Sequence, residues 1–466
     1  MNLQQNQTAI ARPAAWNARL AAAATIVVSF WVVGHSLGQS RTLFEQSTLD
    51  ASRIENRFAA QQGVTTTSSA VGFFLLGAMG VVCWMTSSSE GINWRHPLMW
   101  FCAAYVGWCV ASLLWTTDSA QTVRKLGILA LMLVGAYGAA TRFDLDDLMA
   151  IMLLSLGGLI GVGFLAELGL GMFRPWRSDY RFAGTCHPND QAVQCALLAL
   201  AAAGAVWMKR DRPWLRQILI AAGLLGLALS KSRTTLLALI VAAALAAVLS
   251  AKGMQRWLVM SCGVAVLCLG GIAANFVSVA DIDQSFNVAS MGRRENVSSL
   301  TGRLPLWHEL WKSAEKRPLA GHGYGGFWGE KNVLKYSQIF AWHIPHAHNG
   351  YLDLMLAVGV LGGALYVAWV IATALVAGSR FETWGDAGDL FVVCLLVFSL
   401  VHAVTESKFP GAGIGAYFVL MAMATVAIRA PGRNGRILLP SPATTSHYAD
   451  EHQWQFHPER LAKPHS

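Results

Sequence analysis

The chain has 466 residues, of which 54% are hydrophobic and 13% are charged, and its formal net charge is +9. Soluble domains carry about 25% charged residues, whereas the apolar residues here occur in unbroken stretches of about 18 to 25, the length that crosses a bilayer. This composition excludes a soluble globular enzyme, a disordered chain and a small disulfide-bonded scaffold. It predicts an all-α polytopic membrane protein.

The apolar stretches predict about twelve transmembrane helices. An even number of crossings places both termini on the same side of the membrane. The first stretch is longer than the apolar core of a signal peptide and is followed by more hydrophobic sequence, so we expect a retained helix. The predicted spans, in chain order, are 17–36, 67–86, 97–115, 124–141, 148–168, 192–208, 216–230, 234–250, 256–277, 350–378, 387–404 and 410–429.

Basic residues in short loops indicate the cytoplasmic side, because positive charge there resists translocation. The densest cluster runs from Lys209 to Arg216, and Lys252 and Arg256 lie on the same side two helices later. Both termini are therefore predicted to be cytoplasmic. Since such loops account for the positive charge, we expect contacts with membrane lipids and no nucleic-acid partner.

This topology divides the chain into four parts. Residues 1–277 form an N-terminal bundle of about nine helices, and residues 278–349 form one large outer loop between helices nine and ten. Residues 350–430 contain the C-terminal helices, and residues 431–466 form a polar tail that we expect to be cytoplasmic and disordered. Within the loop, residues 304–316 have helical apolar spacing, which predicts an amphipathic helix resting on the bilayer or on the protein. The residues expected on its apolar side are Leu306, Trp307, Leu310 and Trp311.

Three histidines and an asparagine, His343, His346, His348 and Asn349, precede the predicted tenth helix. Histidine is the side chain best suited to exchange a proton near neutral pH, and a junction of loop and helix holds it rigidly beside water. The same pattern is equally typical of an interfacial histidine cluster or of an adventitious metal site.

A second polar window, residues 229–235, forms a short turn between predicted helices seven and eight on the outer side. The turn is too short to solvate Lys231 and Arg233 fully, and an arginine near hydrocarbon costs roughly 2.5–3.5 kcal/mol on insertion scales. A guanidinium fork matches phosphate oxygens, which indicates an anion site. The alternative is an arginine that extends to lipid headgroups.

Two further outward windows are rich in polar residues. Residues 174–190 gather arginines with His187 and Asn189 before helix six, although the asparagine or its neighbour would also serve as a helix cap. Residues 301–327 contain Arg303 near their start and continue into a glycine-rich run. No βαβ unit surrounds these glycines, so a tight turn is favoured over a dinucleotide site.

Four segments of these windows carry a family resemblance when they are taken together. They are Ser232-Arg233, the TGR…W…RPLAGHGYG segment of 301–325, the HAHNGYLDLML run of 346–356 and FAGTCHPND at 182–190. Together they resemble the O-antigen ligase and Wzy-type polymerase superfamily, most strongly over roughly 180–380, where order and spacing agree. The GHGYGGFW and HAHNGYLD runs are most similar to the exopolysaccharide-polymerase branch.

The resemblance implies a bacterial inner-membrane glycosyltransferase with a periplasmic active site and no metal or other cofactor. Its donor would be a glycan on undecaprenyl diphosphate, and attack by an acceptor hydroxyl at the anomeric carbon would release the lipid diphosphate. The acceptor would be another glycan repeat in a polymerase, or a sugar of the lipid A core in a ligase. Proteins of polysaccharide assembly or export are the other expected partners.

Roles for individual residues follow from the matched motifs and this chemistry. The leaving diphosphate needs cations, which we assign to Arg233 and Arg303. The acceptor hydroxyl needs a general base, and we assign this role to His348. The expected substrate-binding residues are Arg177, Arg181, His187, Asn189, His346, Asn349 and Tyr351.

A transporter or flippase is the competing class, because about twelve helices with both termini inside are also common among transporters. Transporters often contain two similar halves, with polar interruptions near the bilayer midplane. Here no internal sequence repeat is seen, the large loop follows helix nine, and the polar groups collect at one face. These features favour an enzyme that acts at the outer surface.

Overall fold

The computed structural model describes residues 23–29, 70–87, 93–177, 180–207, 213–252, 303–340, 342, 344–407 and 411–429. The regular structure in these ranges is helical, and no β-strand occurs there. The first predicted span is described only at 23–29, where the chain is helical. The predicted ninth span, loop residues 278–302 and the tail 431–466 lie outside the described residues.

Ten helices of the described ranges coincide closely with predicted spans, and two more, α8 and α9, belong to the predicted loop. Short 3-10 turns occur after α2 at Ser112–Leu114 and before α9 at Gly326–Trp328. After the helical segment at 23–29, we number the helices α1 Ala70–Met85, α2 Pro97–Ala111, α3 Ser119–Arg142, α4 Leu145–Gly169, α5 Pro188–Trp207, α6 Pro213–Ser230, α7 Arg233–Ser250, α8 Arg303–Ala314, α9 Glu330–Phe340, α10 Gly350–Trp384, α11 Ala387–Ala403 and α12 Ile414–Ile428.

Six helices of the described ranges are long and apolar enough to cross a membrane, by length and composition. They are α2 with its 3-10 turn, α3, α4, α6, α7 and α10, while α1, α11 and α12 are apolar but shorter. The protein is therefore a multi-pass membrane protein whose regular structure is helical throughout the described ranges. The number of crossings and the side on which the large loop lies remain predictions.

The last two helices form the centre of the bundle. α11 and α12 are buried along nearly their whole length. α11 packs against α5, α7 and α10, and α12 packs against α3. The starts of α3 and α4 are fixed by Asp118 and Asp144, whose carboxylates accept N–H groups of the first helical turn.

The connections α4–α5, α6–α7 and α11–α12 meet at one end of the bundle, together with the start of α10. Phe182 N–H, before α5, donates to Leu229 O at the end of α6 (2.9 Å). Asn349 N–H, before α10, donates to Ser407 Oγ after α11 (3.1 Å). These contacts bring polar residues that are distant in sequence to one end of the bundle.

The predicted amphipathic helix is present as α8, and its apolar side packs on the protein. Leu306 and Leu310 are fully buried and belong to a cluster with Phe327 and Tyr336. Trp311 was expected on the same side, but it is 49% exposed. Trp311 is five positions after Leu306, which corresponds to a rotation of about 140° around the helix axis. It therefore falls at the edge of the apolar stripe.

Helix α10 is interrupted at Gly359, where φ is 71° and ψ is −175°. The interruption removes helical hydrogen bonds. Residues 318–322, which precede the 3-10 turn at Gly326, replace some of them. His322 N–H donates to Leu356 O (2.8 Å), and Val360 N–H donates to Pro318 O (2.8 Å). A non-helical backbone in an apolar helix is tolerated where other protein groups satisfy it in this way.

We predict that Gly359→Ala destabilises the protein by at least about 2 kcal/mol, because a side chain at this positive φ is strained by roughly 1–3 kcal/mol. Its Cβ would also overlap Leu319 O. Gly363→Ala is the matched control, since a Cβ there meets only Leu354 Cβ at 3.7 Å. The melting temperature of the detergent-solubilised protein measures both effects. Equal melting temperatures for the two variants would contradict the prediction.

Candidate functional site

A buried carboxylate, Glu406, lies where the loops meet. Glu406 is the third residue after the end of α11, and it is 1% exposed. Glu406 Oε1 accepts hydrogen bonds from Arg303 Nη2 (2.7 Å) and from Asn189 Nδ2 (2.8 Å). Glu406 Oε2 lies 3.4 Å from His348 Nδ1. One carboxylate therefore contacts three of the residues that the sequence predicted for the site.

A directed chain of hydrogen bonds extends from Glu406 toward α6. Asn189 Oδ1 accepts from Arg181 Nη2 (2.7 Å), and Arg181 Nε donates to Ser230 O (2.9 Å). A guanidinium only donates hydrogen bonds and an ionised carboxylate only accepts them. The Asn189 amide must therefore point its oxygen at Arg181 and its nitrogen at Glu406.

The residues around Glu406 in sequence hold separate parts of the site. Thr405 O accepts from Arg303 Nη1 (2.7 Å), so this guanidinium binds both a backbone carbonyl and the adjacent carboxylate. Ser407 Oγ accepts the N–H of Asn349 (3.1 Å). Three consecutive residues after α11 thus fix the start of α8 and the start of α10.

His348 lies beside Glu406 with its backbone in the left-handed region, at φ 52°. Non-glycine residues rarely adopt this conformation, which clusters at functional sites. Its N–H donates to His346 Nδ1 (3.2 Å), and its ring centroid lies 4.1 Å from that of His346 and 5.2 Å from that of Trp342. Both ring nitrogens are buried, and neither hydrogen-bonds to a described residue. Of the two, Nδ1 is the nitrogen that lies 3.4 Å from the carboxylate of Glu406.

The loop that carries His348 is held at both ends. Asp353 Oδ1 accepts from Ala347 N–H (3.0 Å) and from Trp328 Nε1 (2.7 Å). Asn349 Oδ1 caps α10 by accepting the N–H groups of Tyr351 and Leu352, each at 3.0 Å. The backbone conformation of the histidine is therefore fixed by its two neighbours in sequence.

Arg233 begins α7 and lies between two contacts at the border of this cluster. Three residues before it, Ser230 O accepts from Arg181, and two residues after it, Thr235 Oγ1 lies 3.3 Å from His402 Nε2 on α11. The Arg233 guanidinium forms no hydrogen bond or ion pair with any residue in the described ranges. Its charge is the one expected to bind an anion.

The loop before α5 is organised by Glu167, which is 1% exposed near the end of α4. Its carboxylate accepts hydrogen bonds from Tyr180 Oη (2.6 Å), Ala183 N–H (3.0 Å) and Gly184 N–H (2.9 Å). These three donors surround Arg181 in sequence, so the carboxylate holds the backbone from which that arginine extends.

The other predicted site residues have contacts of their own. His187 Nδ1 accepts the N–H of Asn189 (3.2 Å), which orients the start of α5. Tyr351 Oη donates to Leu400 O (2.8 Å) and joins α10 to α11. Arg177 is exposed and takes no part in the contacts given above. Substrate contacts by these residues stay predictions.

The sequence reasoning missed three acidic residues that organise the site: Glu406 and Glu167, which are buried, and Asp353, which is half-buried. Each lies within or directly beside a predicted apolar span, where an ionisable side chain is expensive and is by default a functional candidate. That single signal identifies all three. The sequence does not show which residues contact these carboxylates, because most of those residues belong to other segments of the chain.

Metal binding was one alternative for the histidine window. Within the ranges that the structure covers, no group of three or more His, Cys, Asp or Glu side chains is arranged to hold a metal ion. His343, the first histidine of the window, lies outside those ranges.

Comparison with known families identifies the central part of the chain. Residues 218–367 match the family model described as O-antigen ligase. This part of the chain carries a domain of the O-antigen ligase and Wzy-type polymerase superfamily, whose members are glycosyltransferase-like enzymes, and the resemblance seen in the sequence is confirmed. The match contains Arg233, Arg303 and His348, whereas Asn189 and Glu406 lie outside it. No curated protein matches the chain.

We predict that Asn349→Ala lowers stability by about 1 kcal/mol, because it removes the N-cap of α10. Asn349→Ser retains a capping oxygen and is the matched control. Thermal unfolding and transfer activity of both variants should be measured. If Asn349 acts only as a cap, the serine variant keeps wild-type stability and activity. Loss of activity in the serine variant at an unchanged melting temperature would instead indicate contact with substrate.

Proposed function

We propose that this protein transfers a glycan from undecaprenyl diphosphate to an acceptor hydroxyl, polymerising exopolysaccharide or O-antigen repeat units. The family of residues 218–367 supports a glycosyltransferase of the ligase or polymerase type. The observation that carries the proposal is the contact of His348 and Arg303 with the same buried carboxylate, beside an arginine without a described partner. A base and cations are the groups that this reaction requires.

The base in this proposal is His348 Nε2. As the acceptor oxygen forms its bond to the anomeric carbon, the hydroxyl proton passes to Nε2. The bond between the anomeric carbon and the diphosphate oxygen breaks, and its electron pair stays on the diphosphate. Because that leaving group is a stable anion, it needs cations more than it needs an acid.

The cations in this proposal are Arg233 and Arg303. Arg303 is held by Thr405 O and Glu406, which fixes its position. Arg233 forms no hydrogen bond or ion pair with a described residue, and its guanidinium fork matches the oxygens of a phosphate. Charge that is already in place when the bond breaks stabilises the transition state without reorganisation. No step uses a metal or a cofactor.

The site is proposed to face the periplasm of a bacterial inner membrane. Helix α6 has 18 residues and is about 27 Å long, so its ends lie on opposite sides of a bilayer. The basic cluster of residues 209–216 is at its first end, and Ser230, which contacts Arg181, is at its last. Positive charge favours the cytoplasm for the first end, which supports a periplasmic site, and both termini are proposed to be cytoplasmic.

A second candidate is ligation of the glycan to the lipid A core. The description of the matching family, O-antigen ligase, favours it. The two candidates differ only in the acceptor. Purified protein with lipid-diphosphate glycan alone forms longer lipid-linked chains if it is a polymerase. A product that requires added lipid A core identifies a ligase, and uptake of the lipid-linked glycan into proteoliposomes without product identifies a transporter.

We predict that His348→Ala lowers the transfer rate by roughly 10²- to 10⁴-fold, the usual contribution of a general base. The assay uses purified protein, lipid-diphosphate glycan and acceptor, with EDTA present throughout. His308→Ala, an exposed histidine on α8, is the control and should be fully active. A wild type that EDTA inactivates would indicate a metal site instead. Full activity of the His348 variant would remove this residue from the mechanism.

We predict that Arg233→Ala and Arg303→Ala each lower transfer by on the order of 100-fold, the loss expected from one transition-state donor. Arg233→Lys should restore little activity, since an ammonium cannot reproduce a bidentate fork. Lys331→Ala, which removes an exposed charge on α9, is the control. If the Arg233→Lys variant were as active as the wild type, that result would show that residue 233 contacts lipid headgroups.

A further inference from the structure

Glu406 faces only one of the two ring nitrogens of His348. Its Oε2 lies 3.4 Å from Nδ1, whereas Nε2 forms no hydrogen bond with any described residue. A neutral imidazole carries its proton on one nitrogen and a lone pair on the other, and its neighbours decide which. The position of this carboxylate therefore influences which ring nitrogen of His348 carries the proton.

We propose that Glu406 is a positioning residue that keeps the proton of His348 on Nδ1, so that the lone pair of Nε2 is free to act as the base. This inference rests on the proposed function, because it assigns a role within glycan transfer. It names a residue outside the part of the chain that matches the O-antigen ligase family.

The contacts of Glu406 fix both its charge and its orientation. Arg303 Nη2 at 2.7 Å and Asn189 Nδ2 at 2.8 Å donate to the same oxygen, Oε1. The adjacent guanidinium favours the ionised carboxylate, and the other oxygen, Oε2, lies 3.4 Å from His348 Nδ1. An ionised carboxylate only accepts, so a hydrogen bond that closes between Oε2 and the ring takes its hydrogen from Nδ1. The present separation is that of a charge contact, and catalytic hydrogen bonds often shorten when substrate binds.

The role of Glu406 continues through the reaction. When the acceptor hydroxyl gives its proton to Nε2, the His348 ring carries a proton on both nitrogens and becomes a cation. The oxygen forms its bond to the anomeric carbon, and the diphosphate leaves with the electron pair of the broken bond. The charge of Glu406 faces the new cation at Nδ1 and stabilises it. No further reactant is needed.

Glu406→Gln tests this role with almost no change in shape. Arg303 and Asn189 both donate toward Oε1, so the carbonyl oxygen of glutamine must occupy that position and its NH₂ group must face His348. That NH₂ group donates to Nδ1 and forces the ring proton onto Nε2. The variant thus keeps the contacts of the two donors while it reverses the tautomer of the base.

The expected result is a fall in kcat of roughly 10²- to 10⁴-fold, the contribution of a general base, with little change in the KM for the lipid-linked donor. Asp389→Asn is the matched control. It removes another buried carboxylate, in the first turn of α11 and about 20 Å along the helix from the end that Glu406 follows, and it should keep kcat. Wild-type kcat in Glu406→Gln would overturn the inference.

A double-mutant cycle separates positioning from general structural support. If Glu406 acts through His348, adding Glu406→Gln to His348→Ala should change the residual rate by less than about threefold, whereas independent effects multiply. Full multiplication of the two losses would show that the carboxylate supports the fold or the arginines rather than the base.

A second measurement leaves Glu406 unchanged, so it does not depend on the folding of a Glu406 variant. The ¹⁵N spectrum of the full-length protein labelled at histidine, minus that of His348→Ala, reports the tautomer of this one ring. A proton on Nδ1 supports the inference, and a proton on Nε2 overturns it.

If the wild type makes no product with either acceptor, the proposed function fails. If the wild type is active but Glu406→Gln is equally active, only the role of Glu406 fails.

Discussion

Burying a carboxylate away from water costs several kcal/mol unless cations and hydrogen bonds compensate it. Glu406 is 1% exposed, and its compensation comes from Arg303, from Asn189 and from the ring of His348. Each of these partners belongs to a different segment of the chain. The need to satisfy one buried charge therefore draws the starts of α5, α8 and α10 to the end of α11, where the candidate site forms.

The same constraint organises the rest of this end of the molecule. Glu167 binds the hydroxyl of Tyr180 before Arg181 and the backbone of Ala183 and Gly184 after it, and Asp353 binds the backbone just before His348. Where α10 is interrupted at Gly359, N–H and C=O groups of the neighbouring segment replace the missing helical bonds. Polar groups in an apolar bundle must find partners within the protein. As a result, hydrogen bonds within the protein hold the loops that carry the functional side chains.

Much of the architecture could be predicted from composition alone. A spanning helix needs a long apolar stretch, a local property that hydropathy measures directly, and the predicted spans from 67–86 to 234–250 are indeed helices. Motif order also led to the O-antigen ligase superfamily, which the match over 218–367 confirms. Trp311, expected on the apolar side of α8, is 49% exposed and lies at the edge of the stripe that packs on the protein.

The sequence by itself thus determined the helices, the family and which windows carry polar side chains. Only the tertiary structure decided which of those side chains meet. Glu406 is separated from Asn189 by more than 200 residues, and no local pattern encodes that hydrogen bond. Asn349, predicted as a substrate ligand, has its side-chain oxygen engaged in capping α10. Contacts of this kind depend on how helices pack, which is a property of the whole chain and of no single segment.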